Sequence, residues 1–117
     1  VGHIIDISAT FRDITGAKYP KVINGKKTKL PIGKSLLPIF EGTKREPHEE
    51  LYWHFGRANA IRQGDLKAVR QGKAPWELYN LQDDPCEMNN LAKTNQVKTK
   101  ELAKMWESWS KEIKSRP

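Results

Sequence analysis

Acidic and amide side chains are concentrated between residues 78 and 92 of this 117-residue chain, in the stretch LYNLQDDPCEMNNLA. Carboxylate and amide oxygens are ligands that calcium prefers in proteins. A calcium loop of the helix-loop-helix kind also needs a glycine at its sixth position and a bidentate glutamate at its twelfth. Counted from Asp83, these positions hold Met88 and Thr94. The stretch therefore does not fit such a loop.

The same residues fit the beginning of a helix. Asp84 can accept hydrogen bonds from free backbone amides as the N-cap, Pro85 suits the first helical position, and Glu87 can complete a capping box. We therefore predict a strand, a turn and a helix start that binds no metal. Cys86 is the single cysteine, so an internal disulfide is impossible. Because no basic residue adjoins it in sequence, we expect a partly buried and unreactive thiol.

The other residues whose side chains could take part in catalysis do not form a catalytic motif. The three histidines, His3, His48 and His54, are not spaced as metal ligands. The chain contains no nucleophile elbow, no Walker-type glycine loop and no dinucleotide fingerprint. Taken alone, the sequence indicates no catalytic residue, and we expect no cofactor in this chain.

The composition is that of a globular chain with one core: 37% of the residues are hydrophobic, 30% are charged, and the formal net charge is +7. The basic excess indicates a solvated surface or an anionic partner such as nucleic acid, phosphate or a sulfated polymer. The aromatic residues fall mostly on the faces that we expect to form the core, and the sequence contains no RNA-recognition or zinc-finger motif. We therefore expect no nucleic-acid partner. No apolar run approaches the roughly 18 residues that a membrane span needs.

The first elements are a helix and an irregular arm. Four apolar residues of the N-terminal segment recur at helical steps: Ile4, Ile7, Phe11 and Ile14. This pattern predicts a helix over residues 3–15 with Gly16 as its C-terminal cap. Residues 18–47 contain four prolines and three glycines, which predicts an ordered arm without long regular elements. The pair Asn24 and Gly25 predicts a turn within it.

Beyond Pro47 the apolar period becomes two. The segments ELYWHF, NAIR, LKAVR and WELYNL read as an antiparallel meander of three or four strands, with Gly64 and Asp65 as a tight connection. Residues 95–115 then predict a helix, whose apolar face carries Val97, Leu102, Met105, Trp106, Trp109 and Ile113. The expected fold class is α+β: a short antiparallel sheet packed against a C-terminal helix, preceded by the N-terminal helix and arm.

In this order, four motifs resemble the C-terminal part of arylsulfatase-type sulfatases, which are sulfuric-ester hydrolases related to alkaline phosphatase. The motifs are HIIDISATFRDITGAKYP, IGKSLLPIFEG, LYWHFGRANAIRQGDLKAVR and WELYNLQDDPCEMNNLA. Where the family commonly has D-I-x-P-T, this chain has Asp6-Ile7-Ser8-Ala9-Thr10, and GDLKA replaces the usual G-D-W/Y-K-L. The resemblance implies that residues 1–47 belong to the end of a missing catalytic domain and that residues 48–117 form the C-terminal α+β subdomain.

The resemblance also implies that the chemistry takes place elsewhere. Such enzymes use a formylglycine made from C/S-x-P-x-R and a calcium ion, both in the large N-terminal domain, whereas Cys86 here is followed by Glu-Met-Asn. We therefore expect a non-catalytic portion that completes the fold and cleft rim of a sulfatase acting on a sulfated small molecule or carbohydrate. The family's first strand-to-strand loop can border the cleft. We hypothesise that His54, Arg57 and Asn59 contact substrate there, although this loop differs from the H-E-G-N-R version of some relatives.

The alternative function is a stand-alone, non-enzymatic module that binds sulfated or other anionic polymers through its basic face, with an affinity that falls as salt rises. If instead residues 3–15 have lost their natural partner, they form the least stable element in isolation, and their apolar stripe can drive self-association. The resemblance suggests a periplasmic, secreted or lysosomal location for the parent enzyme.

Overall fold

The computed structural model describes residues 1–29 and 31–114, which form two compact units, Val1–His48 and a second unit from Glu49 onward. Leu30 and Ser115, which fall in the predicted arm and the predicted C-terminal helix, lie outside the described residues. The elements of the first unit are α1 (Ile5–Thr15), β1 (Val22–Ile23), β2 (Lys26–Lys27) and α2 (Leu37–Phe40). Those of the second are β3 (Glu50–Phe55), β4 (Ala58–Gln63), β5 (Leu66–Gln71), β6 (Glu77–Asn80) and α3 (Gln96–Lys114). The α+β class is confirmed.

In the first unit, α1 ends as the sequence predicts. Gly16 has φ 67° at its C-terminal cap, a left-handed conformation that glycine adopts without steric cost. The arm is ordered but irregular, apart from the two-residue strands β1 and β2 and the single helical turn α2. Strands β1 and β2 pair antiparallel around the predicted turn, where Asn24 and Gly25 both have positive φ.

The apolar stripe of α1 is exposed in this chain. Ile4, Ile7, Phe11 and Ile14 have exposed fractions of 76%, 49%, 64% and 55%. The buried face of α1 consists instead of Asp6, Ala9 and Thr10. This unit therefore organises its interior around small and polar side chains, and the proposal that the stripe meets a missing partner stays a prediction.

The second unit is a four-stranded antiparallel meander in the order β3-β4-β5-β6. Residues opposite each other in register share a face of the sheet because side chains alternate along each strand. One such row is His54, Asn59 and Arg70, and the adjacent row is Trp53, Ala60 and Val69. The two rows therefore lie on opposite faces at the same end of the sheet.

Helix α3 covers the face that carries His54. The fully buried side chains Ile61, Leu78 and Leu102 form the core together with Ala68 and Trp106, and each large one contributes roughly 1.5–3 kcal/mol on burial. The indole Nε1 of Trp106 donates to the backbone carbonyl of Trp53 at 3.0 Å.

Most of the residues that were predicted to form the apolar face of α3 do face the core. Leu102 and Trp106 are buried, and Met105 and Trp109 pack against the core. Val97 is 81% exposed and Ile113 is 37% exposed, so the assignment of these two residues to the inner face is wrong. Val97 lies in the first turn of the helix, where Thr99 is buried instead. Across residues 1–29 and 31–114, no helix is long and apolar enough to span a membrane.

Candidate functional site

The hairpin that joins β3 to β4 brings the three predicted substrate contacts to one end of the sheet. His54 Nδ1 lies 2.8 Å from Asn59 Oδ1, and the Asn59 amide nitrogen donates to the Arg57 carbonyl at 3.4 Å. The same carbonyl accepts from the backbone amide of Gly72 at 2.7 Å. Asn59 is buried, whereas His54 and Arg57 are exposed. The structure thus joins the three residues in one hydrogen-bonded group, but it does not test whether they bind a substrate.

The hydrogen bonds of Asn59 favour one tautomer of the neutral His54 ring. Because the Asn59 amide nitrogen points to a carbonyl, its Oδ1 faces His54 and can only accept. The imidazole must therefore carry its proton on Nδ1, and Nε2 of the neutral ring is an acceptor. This arrangement suits a sugar hydroxyl that donates to Nε2, while the exposed guanidinium of Arg57 suits an anionic oxygen.

Arg70 extends this group across the sheet. It pairs in register with Asn59, and its guanidinium carbon lies 4.7 Å from the ring centroid of Trp76 and 5.6 Å from that of Trp106. Its Nε is buried without a hydrogen-bond partner within the part of the chain that the structure describes. The adjacent π faces offer a weak acceptor for that N–H and an attraction for the cation.

A second polar cluster lies inside the first unit and centres on Asp6. Its fully buried carboxylate accepts hydrogen bonds from the backbone amides of His3 and Lys34, both at 2.9 Å. It also contacts His48 Nε2 at 2.7 Å and Arg45 Nη2 at 3.1 Å. Burial by itself raises the pKa of Asp6, but these four hydrogen bonds outweigh it and hold that pKa well below its usual range.

Thr10 extends the Asp6 cluster along α1. Its hydroxyl donates to the Asp6 carbonyl at 2.7 Å and accepts from the backbone amide of Leu36 at 2.9 Å. The two buried polar residues of α1 therefore fix the arm at residues 34 and 36. All the oxygens of Asp6 point to protein donors, so this cluster holds the fold together and offers no open position to a ligand.

The acidic stretch forms a turn and not the predicted helix start. Asp84 accepts from the backbone amides of Met88 at 3.0 Å and Asn89 at 2.7 Å, and Glu87 has φ 57°, which ends any helical path. Helix α3 begins only at Gln96. The prediction of a helix N-terminus at Asp84 is therefore wrong. Its carboxylate caps a non-helical loop, as Asp also does in turns.

The cap of α3 is supplied later in the chain. The Oδ1 atom of Asn95 accepts from the backbone amide of Lys98 at 3.3 Å, which is the capping bond that the sequence placed at Asp84. Glu87 does not form a capping box. Its Oε1 instead lies 2.5 Å from the ammonium of Lys67 in β5.

The acidic oxygens of this loop do not fit a calcium ion. The backbone amides of Asn89 and Met88 hold the pKa of Asp84 below its usual value, which indicates a carboxylate already occupied by donors. Asp83 accepts from the Asn80 amide at 2.6 Å. Within residues 1–29 and 31–114, no group of three or more His, Cys, Asp and Glu side chains converges as metal ligands.

Cys86 lies in the same loop and is exposed. The expectation of a partly buried thiol is therefore wrong. The expectation rested on the lack of a basic neighbour in sequence, which bears on the reactivity of a thiol and not on its burial. The thiol is instead part of a solvent-facing turn.

This chain, a four-stranded meander covered on one face by a C-terminal helix, with an ordered arm before it, matches a family of sulfatase C-terminal regions. The chain belongs to the family described as N-sulphoglucosamine sulphohydrolase, C-terminal, whose model matches residues 3–115. The resemblance read from the four motifs is thereby confirmed.

Curated relatives agree with this family. An uncharacterized sulfatase of Schizosaccharomyces pombe is 30% identical over 110 residues, covering 88% of this chain and 20% of that protein. The N-acetylglucosamine-6-O-sulfatase of Bacteroides thetaiotaomicron is 29% identical over 126 residues, covering 94% of this chain and 21% of that protein. The chain thus spans about one fifth of the length of these relatives.

Solved structures share the fold. A protein in complex with its substrate D-glucosamine-2-N,6-O-disulfate matches with a TM-score of 0.64 and 28% identity, over 95% of this chain and 24% of that one. Another, from a Bacteroides thetaiotaomicron locus for the metabolism of multiple glycosaminoglycans, matches with a TM-score of 0.67 and 24% identity. That match covers 95% of this chain and 24% of the other chain.

Two residues, Arg70 and Asp6, make contacts in the structure that the sequence did not predict. Arg70 occupies the same alternation phase as Leu66 and Ala68 in LKAVR, so its side chain had to lie on the α3-facing side. Asp6 is the one acidic residue within the run of isoleucines that begins α1. In a basic chain, a carboxylate at an otherwise apolar position indicates a buried partner, and here that partner is Arg45.

Proposed function

We propose that this chain is the C-terminal portion of a sulfatase that hydrolyses sulfate esters of carbohydrates, with sulfated glucosamine as the substrate class. The observation that carries the proposal is the family match over residues 3–115, which coincides with relatives about five times longer. One of those relatives is named an N-acetylglucosamine-6-O-sulfatase, and a similar structure holds a glucosamine disulfate.

In this proposal the chain supplies no nucleophile and no calcium ligand. The sequence has no C/S-x-P-x-R motif, and the acidic oxygens of the loop around Asp84 are occupied by protein donors. Formylglycine and calcium, if present, therefore belong to the upstream part of the longer protein. The C-terminal portion stabilises that part and contributes to the rim of its cleft.

The rim residues that we propose are those of the β3–β4 hairpin. Asn59 is buried and holds the imidazole of His54 so that Nε2 can accept from a substrate hydroxyl. The exposed guanidinium of Arg57 can donate to a sulfate oxygen in the same region. Aminosugar sulfates present both kinds of group, which supports this substrate class.

The experiment is an assay of the full-length protein and of the 117-residue chain, with glucosamine-6-sulfate and with D-glucosamine-2-N,6-O-disulfate. We expect release of inorganic sulfate by the full-length protein and none by the chain alone. Turnover by the chain alone, or an inactive full-length protein, would overturn the proposal. If the inactive protein also binds sulfated polymers with an affinity that falls steeply with salt, the alternative of a binding module is correct.

A further inference from the structure

Residues 18–29 form the most basic segment of the chain. They include five lysines and no acidic residue, and so carry five of the seven excess positive charges of the sequence. Strands β1 and β2 and the turn between them lie within this segment. We call it the lysine hairpin, after Lys18, Lys21, Lys26, Lys27 and Lys29.

The backbone of the lysine hairpin is fixed by its own turn and hydrogen bonds. Asn24 and Gly25 have φ of 49° and 76°, the two left-handed conformations that a tight two-residue turn requires. The pairing continues beyond the strands, because the backbone amide of Thr28 donates to the Lys21 carbonyl at 2.9 Å. The lysines therefore project from an ordered backbone, which a ligand does not have to order when it binds.

The charges of the lysine hairpin are not neutralised by the protein. All five lysines are exposed, and none of them forms an ion pair within residues 1–29 and 31–114. Lysines elsewhere do have carboxylate partners: Lys34 with Glu46, Lys67 with Glu87, and Lys98 with Glu101. Like charges held so close repel one another, so a polyanion that lies along the hairpin relieves the repulsion.

The two faces of the lysine hairpin do not suit a membrane surface. Val22 lies opposite Lys27, and Ile23 lies opposite Lys26. Because successive side chains alternate between the faces of a strand, each face combines one apolar side chain with an ammonium group. An interfacial membrane segment needs one face that is apolar throughout. The hairpin has no such face.

The side chains of the lysine hairpin also do not suit nucleic acid. Its one aromatic residue, Tyr19, has the guanidinium carbon of Arg12 5.6 Å from its ring centroid, so that cation competes with a base for the ring. The segment contains no arginine, the residue that binds phosphate and guanine in bidentate fashion. Lysine ammonium groups act as separate point charges, which suits the separate sulfate groups of a polysaccharide.

We propose that the lysine hairpin is a binding site for sulfated polysaccharide, through which the longer enzyme retains a polymeric substrate. This proposal rests on the proposed function and narrows its substrate class from a sulfated glucosamine to a chain of such sugars. A single sulfated sugar reaches only some of the five ammonium groups. A chain engages several of them at once, and its affinity gains from that multivalency.

The test is a titration of the full-length protein with a fluorescent heparin decasaccharide at about 0.15 M salt. The hairpin variant combines Lys21→Gln, Lys26→Gln and Lys27→Gln. We expect its affinity to fall at least about tenfold and its salt dependence to weaken, because fewer counterions are released on binding. Arginine at the same three positions keeps the charges, so the affinity should stay within about threefold of the wild type.

The matched control removes three exposed lysines elsewhere, through Lys44→Gln, Lys93→Gln and Lys100→Gln. It has the same net charge as the hairpin variant. Its affinity should fall less than about twofold, because screening limits the reach of an exposed charge to about 8 Å at this salt. Both variants should hydrolyse glucosamine-6-sulfate with the kcat/KM of the wild type.

Four results would overturn the proposal: no binding by the wild type, equal losses in the two glutamine variants, an arginine variant as weak as the hairpin variant, or equal binding of a desulfated decasaccharide. Tighter binding to duplex DNA or to phosphatidylserine vesicles than to the decasaccharide would also overturn it. Failure of the proposed function gives a different result. A protein that releases sulfate from glucosamine-6-sulfate but binds the decasaccharide without the hairpin retains the function and loses this site. A protein that binds through the hairpin but hydrolyses no sulfate ester retains the site and loses the function.

Discussion

The Nη2 atom of Arg45 lies 3.1 Å from Oδ2 of Asp6, and the exposed fractions of these two side chains are 7% and 0%. Asp6 belongs to α1, whereas Arg45 lies at the far end of the arm, 39 residues later. Arg45 also donates to the carbonyl of Lys34 at 2.8 Å. This buried pair therefore connects the beginning and the end of the first unit, and charges at such depth are tolerated only when they are paired.

Replacement of Asp6 by Ala is expected to destabilise the first unit by about 3–5 kcal/mol, because it leaves Arg45 buried without its counter-charge. Amide exchange of Ile5–Thr15 should become fast in the 117-residue chain. The control is Glu46→Gln, which removes one of the partners of the Lys34 ammonium at a side chain that is 85% exposed. That change should cost less than about 1 kcal/mol. Similar exchange in the two variants would show that the buried pair does not hold α1.

The Asp6 cluster should make the first unit less stable as pH falls. Because the folded pKa of Asp6 is depressed, the unfolded chain binds its proton first as pH falls. The contribution of Asp6 is thus fully present above the unfolded pKa of about 4 and is lost progressively below it. The protection factors of the α1 amides, which are corrected for the slower intrinsic exchange in acid, should fall between about pH 5 and pH 3 in the wild type. In Asp6→Asn this fall should be much smaller, and an unchanged acid response in that variant would contradict the assignment.

Gly33 should tolerate no side chain, because its α-carbon lies against the backbone of α1. A Cβ atom built at Gly33 would stand 2.0 Å from the carbonyl oxygen of Ile5, whereas one at Gly2 would meet only Leu36 at 3.7 Å. Gly33→Ala should therefore displace the arm and cost about 1–3 kcal/mol or more. Gly2→Ala should change stability by less than about 0.5 kcal/mol. The protection of the α1 amides against hydrogen exchange measures the effect of both variants. Equal protection in Gly33→Ala and Gly2→Ala would contradict the close approach of Gly33 to α1.

The second unit was predictable from the sequence because its signals are local and agree with one another. The segment ELYWHF coincides with β3, Gly64 has the positive φ of a tight hairpin, and Leu102 and Trp106 enter the core as the helical period indicates. Alternation, turn chemistry and helix period each specify a face or a boundary. Together they fix the meander and its helix without knowledge of distant contacts.

The loop before α3 was not predictable in the same way, because two capping sites compete. Asp84 followed by Pro85 satisfies every local rule for a helix start, yet Asn95 caps α3. The choice is made by tertiary contacts: Lys67 of β5 binds Glu87, and the backbone amide of Leu91 donates to Leu78. Such contacts join residues distant in sequence, so local patterns do not predict them. The ion pair of Asp6 with Arg45 was not predicted for the same reason.

Arg70 should resist replacement by lysine more than an ordinary surface arginine does. Its planar guanidinium lies over Trp76 and near Trp106, and an ammonium cannot reproduce that stacking. Arg70→Lys should destabilise the second unit by about 1–2 kcal/mol in urea unfolding followed by tryptophan fluorescence. Arg62→Lys is the control, since its ion pair with Asp65 is long, at 4.0 Å, and should cost less than about 1 kcal/mol. Equal losses of stability in Arg70→Lys and Arg62→Lys would show that stacking on the tryptophans does not stabilise the unit.

If the hairpin forms the rim of the cleft, Asn59 positions His54 for substrate binding, and its loss should affect binding more than chemistry. Asn59→Leu removes both the acceptor for Nδ1 and the donor to Arg57. In the full-length protein, KM for a glucosamine sulfate should rise about tenfold, equivalent to about 1.4 kcal/mol, while kcat stays within about twofold.

The matched control for this prediction is Asn89→Leu, which removes an exposed amide side chain and keeps the backbone donor to Asp84. It should leave KM unchanged. Asn59→Asp retains an acceptor for the His54 proton, so it should recover part of the affinity that Asn59→Leu loses. Circular dichroism and the urea midpoint of each variant verify that the sheet remains folded. A fall in kcat at constant KM, or an equal rise in KM for Asn89→Leu, would show that the hairpin does not position His54 against the substrate.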